Sequence, residues 1–153
     1  MRCYGRPGVA SRCLRLQDEH GLDVDMVLTV LWLATRGVEV EAQSLGRLLH
    51  VAAPARQRVL EIRTLRRSVG VDRAHASGWE ETYAHLKAAE LAAERVQLQA
   101  LEAEGSAMSG EGDPDTLARR GLRLYASLVG PASDRAAIEV LLDEVVERGL
   151  TSA

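Results

Sequence analysis

From Met26 to Ala34 the chain reads Met-Val-Leu-Thr-Val-Leu-Trp-Leu-Ala, apolar everywhere except at Thr29. Asp23 precedes the run as a helix N-cap, and Arg36-Gly37 closes it. A helix of this composition has no face to offer water, so other elements must enclose it. It has about half the roughly 20 residues needed to span a bilayer, which makes it a core helix and not a membrane segment. Its β-branched residues would also suit a strand. No other segment supplies a partner strand, however, and a lone strand is unstable. The remaining sequence must therefore provide helices that pack around this one.

Hydrophobic spacing supplies them. Arg6-Pro7-Gly8 is a turn, after which Val9, Cys13, Leu16 and His20 fall on one helical face that Gly21 ends. A third helix is expected over about Glu39–Val51, with Leu45, Leu48 and Leu49 inward and a break at Pro54. A fourth follows over about Ala55–Val69, carrying Ile62, Leu65 and Val69 on one face and Arg56, Arg63 and Arg67 on another. Ser77-Gly78-Trp79-Glu80 matches a capping box and opens a fifth helix to about Glu104. There Trp79, Thr82, Leu86, Ala89, Ala93, Val96, Ala100 and Ala103 recur at spacings of three and four, a seam of mostly small residues. Gly105 to Gly112 is rich in Gly and Ser and reads as a linker. Asp113-Pro114 then opens a sixth helix to Val129, and a last one spans about Ser133–Arg148.

The expected fold is thus all-α: a helical bundle of about five helices in residues 1–104, a flexible linker at 105–112, and an amphipathic C-terminal helical hairpin in 113–153, loosely attached. Phe is absent and only two Trp and three Tyr occur, so the core is aliphatic, which suits close helix packing. Residues 1–76 carry 12 Arg against 8 acidic residues, whereas residues 77–153 carry 7 basic against 14 acidic. Attraction between the two halves within the fold is the preferred reading of that asymmetry. No apolar stretch follows the N-terminal charge, and Cys3 and Cys13 have no metal-ligand spacing, so reduced thiols in the cytoplasm are expected.

Three polar groupings are candidates for chemistry. Asp18, His20, Asp23 and Asp25 cluster at the turn between the first two helices and would suit a small-ligand or acid/base site. The cluster is not an EF-hand loop, because Met26-Val27-Leu28 occupies positions that should ligate. Helix capping by Asp23 and dipole complementation by Asp25 explain it more simply. Arg56, Arg63, Arg66 and Arg67 would grip an anion or a nucleic-acid backbone. The plainer reading pairs them with Glu90 and Glu94, whose like charges sit at i, i+4. Glu81 and His85 at i, i+4 lack the spacing and the second copy of a di-iron motif. There is no nucleophile elbow and no Gly-rich phosphate loop, so no catalytic residue is assigned, and no metal or cofactor is expected.

Tyr4-Gly5-Arg6-Pro7-Gly8-Val9, Cys13 to Asp25, and Leu31-Trp32-Leu33-Ala34-Thr35-Arg36-Gly37 together resemble the bacterial domain-of-unknown-function family 2390, found in proteobacteria. Leu65-Arg66-Arg67 and Leu86 to Arg95 are similar to its later segments, and the likeness runs from Tyr4 to about Leu101. The resemblance implies no assigned activity. Family members usually carry a further aromatic-containing helical segment before the first stretch, whereas only three residues precede Tyr4 here, which implies either a misassigned start or a missing helix that would leave a groove open in the core. Asp25 stands where the family usually has Asn, compatible with a helix start. The leading expectation is a non-enzymatic interaction or adaptor module that associates with itself or another protein, through the Ala-rich fifth helix or the C-terminal hairpin. No membrane or nucleic-acid partner is expected. The alternatives are a ligand-binding or enzymatic bundle using the Asp18–Asp25 turn, and an anion binder using the arginines.

Overall fold

A computed structural model describes residues 8–150, so Cys3 and most of the Arg6-Pro7-Gly8 turn lie outside the described residues. Within them the protein is an all-α bundle of six helices: α1 Val9–His20, α2 Val24–Thr35, α3 Ala42–His75, α4 Glu80–Ser106, α5 Pro114–Val129 and α6 Arg135–Leu150. A 3-10 turn, Ala132–Asp134, leads into α6.

The apolar run becomes α2 and sits at the centre. Met26 to Leu31, Leu33 and Ala34 are all buried, and α1, α4, α5 and α6 pack around it. Thr29, its one polar residue, is satisfied by donating its hydroxyl to the Asp25 carbonyl at 2.7 Å. The turn before it has a definite geometry. Gly21 takes φ 72° and its amide donates to the Gln17 carbonyl at 3.1 Å, the 5→1 bond of an αL cap, while the Leu22 amide reaches back to the Leu16 carbonyl at 3.1 Å. Asp23 then caps α2 by accepting from the Asp25 amide at 3.0 Å.

Pro54 does not break the chain. The expected third and fourth helices are one continuous 34-residue helix, α3, with Pro54 inside it. Pro54 lies on the exposed side, where water can serve the carbonyl that its missing N–H leaves without a partner. Packing of α3 along α4 holds the helix together across that gap. The capping box at Ser77 is not formed either. Gly78 adopts φ 101°, Trp79 takes the N-cap position without a side-chain bond, and the Gly78 amide donates to Glu80 Oε2 at 3.0 Å. The expected seam of α4 is displaced as well. Its buried residues are Glu90, Gln97, Leu101 and Gly105, while Trp79, Thr82, Ala89, Val96 and Ala103 are exposed.

The C-terminal pair is not loosely hung. Leu117, Ala118, Leu122 and Tyr125 of α5, with Ile138, Leu141, Leu142, Val145 and Val146 of α6, belong to the same buried cluster as α1 and α2. The Gly/Ser-rich segment is tied down too. The Gly112 amide donates to the Gly37 carbonyl at 3.0 Å, and Arg36 donates to the carbonyls of Gly105 and Met108 at 2.9 and 3.0 Å. Such a segment serves as a docked connection here because a neighbouring helix end supplies its backbone partners. Among the described residues no helix is long and apolar enough to cross a membrane.

One shared core predicts one unfolding transition. Leu122→Ala should lower stability by about 2–5 kcal/mol, and circular dichroism and tryptophan fluorescence should then report the same denaturation midpoint. A separate early transition in the circular dichroism alone would mean that α5 and α6 unfold as an independent unit.

Candidate functional site

The α1–α2 turn faces the long α3–α4 hairpin across a groove of about 600 Å³, within the size range of small-molecule sites. Leu14 and Gln17 line it from α1, Val24, Leu28 and Trp32 from α2, and Leu91 and Leu98 from α4. Its polar lining is formed by Asp23, Asp25, Arg56, Arg63, Arg66, Glu90, Glu94 and Glu102. Two separate sets of sequence candidates, the turn acids and the arginine stripe, thus contribute to a single concavity.

They do so through a ladder of charges. The Asp23 carboxylate is nearly buried; Arg56 Nε lies 3.2 Å from its Oδ2, and Gln97 Nε2 donates to the same oxygen. The Asp23 backbone amide donates to the Tyr125 hydroxyl of α5 at 2.9 Å. Further along, Arg63 Nε donates to Glu90 Oε1 at 2.7 Å, and its Nη2 to Glu94 Oε1 at 2.8 Å. Arg66 donates to the other Glu90 oxygen and to the Tyr83 hydroxyl. Arg63 and Glu90 are only 7% and 6% exposed, so stripping either partner would strand a buried charge at a cost of about 3–5 kcal/mol. Burial pushes the Glu90 carboxyl up, but its hydrogen bonds from Arg66 and Arg63 outweigh that and hold it below the ordinary carboxylate range. At Glu94 burial prevails, reinforced by Glu90 and only partly offset by Arg63, so that carboxyl is raised.

Asp25 differs from its neighbours. Its backbone amide and carbonyl are both used, but its carboxylate receives no hydrogen bond or ion pair among the described residues. Burial drives this carboxyl up to about 7, and the charges of Asp23 and Glu94 add to the effect; Arg56 and Arg63 oppose it. A carboxyl that titrates near neutrality inside a concave site is a functional candidate on physical grounds.

The aromatic part of the lining is fixed. The Trp32 indole packs on α4 at Gly105, where a Cβ would stand 2.7 Å from the ring. The Arg36 guanidinium lies over the indole, 4.8 Å from the ring centroid.

The remaining candidates lie elsewhere. Asp18 is exposed and takes Arg67 Nη2 at 2.7 Å, so these two form a surface pair between α1 and α3, away from the groove lining. His20 turns the other way, its Nδ1 3.0 Å from Asp134 Oδ2 ahead of α6. The expected pairing of the arginines with Glu90 and Glu94 is made by Arg63 and Arg66, while Arg56 pairs with Asp23. His85 and Glu81 are exposed, and so is His50 on α3. Cys13 is a buried core thiol that desolvation raises to about 11, well out of the reactive range. No group of three or more His, Cys, Asp or Glu with metal-holding geometry occurs among the described residues.

Sequence reasoning did not single out Gln97, Tyr125 or Trp32 for the site. Gln97 carried a usable signal: it stands seven residues after Glu90, so two polar residues recur at a heptad spacing along α4. Trp32 was hidden by the apolar run around it. Tyr125 is supplied from a helix whose placement nothing local in the sequence dictates.

Fold and groove define an all-α bundle with one polar cleft set against an aromatic-aliphatic wall. Residues 1–101 match the family described as "Protein of unknown function (DUF2390)", and the chain belongs to that family. No curated protein and no solved structure matches it.

Asp25 sets a stability test. A carboxyl raised in the folded state binds more protons folded than unfolded between its ordinary value of 3.8 and about 7, so its contribution falls as pH rises through that window. Asp25→Asn removes the ionisation. The variant should match the parent near pH 4 and exceed it by about 1–2 kcal/mol at pH 8, after allowance for solvent at the groove mouth. Urea titrations at both pH values measure this. Equal stability at pH 8 would mean that Asp25 ionises there without cost.

Proposed function

We propose that the chain is a small-ligand-binding helical protein whose ligand occupies the groove between the α1–α2 turn and the α3–α4 hairpin. The observation that carries this reading is the unpartnered Asp25 carboxyl, set in a concavity of about 600 Å³ with Trp32, Leu28 and Leu98 in its wall. Such a group destabilises the fold when ionised, and proteins retain costly groups chiefly where function uses them. The anion- and nucleic-acid-binding alternatives for the arginines have less support. Each guanidinium of the stripe already holds a carboxylate, so an anion or a nucleic acid would have to displace Asp18, Asp23, Glu90 or Glu94.

Trp32 offers the test. Trp79→Phe leaves it as the single tryptophan, so a fragment panel of mixed charge can be screened by its emission. Some fragments should give a saturable spectral shift, and Leu98→Phe, which fills the groove from α4, should weaken them at least about tenfold, the equivalent of 1.4 kcal/mol. If no fragment saturates, or if Leu98→Phe binds as well as the parent, the groove is not a ligand site.

A second reading, an interaction module, rests on the α4 residues left outside the bundle. Trp79, Ala89, Val96 and Ala103 follow the expected seam and are exposed. On this reading light scattering should give a dimer mass that Val96→Glu reduces to a monomer. A monomer across the micromolar range would remove self-association through this face.

A further inference from the structure

We infer that the groove selects a cationic amphiphile, an alkyl- or aryl-ammonium whose charged head sits against Asp25 and whose apolar body lies along Trp32, Leu28 and Leu98. The inference rests on the groove being the binding site and adds the chemical class of its occupant.

Charge is the first argument. Five carboxylates line the groove, Asp23, Asp25, Glu90, Glu94 and Glu102, against three guanidiniums, Arg56, Arg63 and Arg66. The excess is negative even though the arginines are the more conspicuous feature of the sequence. Saturation is the second. Arg63 is held by Glu90 and Glu94 and Arg66 by Glu90 and Tyr83, so the forks of these two are engaged, while Arg56 places its Nε 3.2 Å from Asp23 and its charge is matched there. The remaining deficit is of cations. Asp25 feels the charges of two carboxylates, Asp23 and Glu94, and its carboxyl has no hydrogen-bond donor among the described residues. An ammonium placed there gains an ion pair in a partly desolvated site and relieves two like-charge repulsions at once. The apolar part of the lining sets the rest of the ligand: Leu28 and Trp32 follow Asp25 at i+3 and i+7 on α2, the indole held against Gly105 and Arg36, and with Leu98 of α4 they accept a chain or a ring.

Binding is then coupled to a proton. The titratable and charged groups facing Asp25 are Asp23 from the turn, Arg56 and Arg63 from α3, and Glu94 from α4. Glu90, Arg66 and Glu102 stand further along the same groove, and α1 contributes only the neutral Gln17. An arriving cation lowers the Asp25 carboxyl, which sits near 7, and so expels its proton at mildly acid pH. Glu94, raised in the same way, works in the same direction. Affinity therefore rises with pH through about 7 and levels off above it, while an alkylammonium itself stays charged to about pH 10.

Isothermal titration of the full chain with n-octylammonium, 1-octanol and octanoate decides the matter. Octylammonium should bind at least about tenfold more tightly than either of the others at pH 8, and about tenfold more weakly at pH 6, where most of a carboxyl titrating near 7 is protonated. At pH 6 the measured heat should vary with the buffer's ionisation enthalpy, as proton release requires. Asp25→Asn should abolish the preference for the ammonium and its pH dependence, and Asp18→Asn, outside the groove, should change neither. Equal binding of octylammonium and octanol, a preference for octanoate, or an Asp25→Asn variant that keeps the ammonium preference would overturn the inference and leave the groove as a ligand site. Failure of all three probes to bind would remove the site and the inference together.

Discussion

The Asp23 carboxylate is held by groups from three helices: the Asp25 amide at the start of α2, Arg56 from α3 and Gln97 from α4. The backbone of the same residue reaches a fourth, donating to the Tyr125 hydroxyl of α5. A nearly buried charge survives only where it is paired and hydrogen-bonded, and here the pairing fixes the position of each element that provides it. The turn between α1 and α2 is thereby pinned to the long hairpin on one side and to α5 on the other. The groove is what remains between these fixed parts. Its depth follows from the reach of Arg56 and Gln97 toward one aspartate, not from any separate device that shapes a cavity.

Much of this order is legible along the chain. The enclosed helix at Met26–Ala34, its aspartate cap, the glycine stop after α1 and the Asp113-Pro114 start of α5 are local signals, and each has a local cause in backbone hydrogen bonding or φ preference. Pro54 and Ser77 misled for a common reason. Both are judged from a few neighbouring residues, whereas packing between α3 and α4 decides whether a proline is bridged and where a helix begins. The seam of α4 failed differently. Apolar spacing marks its outer side, because the side turned toward α3 carries Glu90 and Gln97, residues that periodicity arguments assign to water.

The site itself was half legible. Composition and spacing put forward the turn acids and the arginines as two unrelated candidates, and nothing in either segment indicates that they face one another. Their meeting depends on how α3 and α4 pack and on which face of α1 turns inward. That also explains why Asp18 and Arg67 find each other at the surface while Asp23 and Arg56 meet inside. The aromatic wall and the tyrosine prop were illegible because each acts through a contact remote in sequence: Trp32 with Gly105, and Tyr125 with Asp23.

Gly105 sets the groove's width from behind. The indole of Trp32 occupies the space that a side chain at 105 would take, so the wall is drawn back from the cleft by the absence of a single carbon. Any larger residue there would meet the ring and Leu33 and oblige them to shift, changing the cleft without altering a residue that lines it. The bore of the cleft is therefore adjustable from outside, and relatives could diverge in the breadth of molecule they admit while their lining stays the same letter for letter.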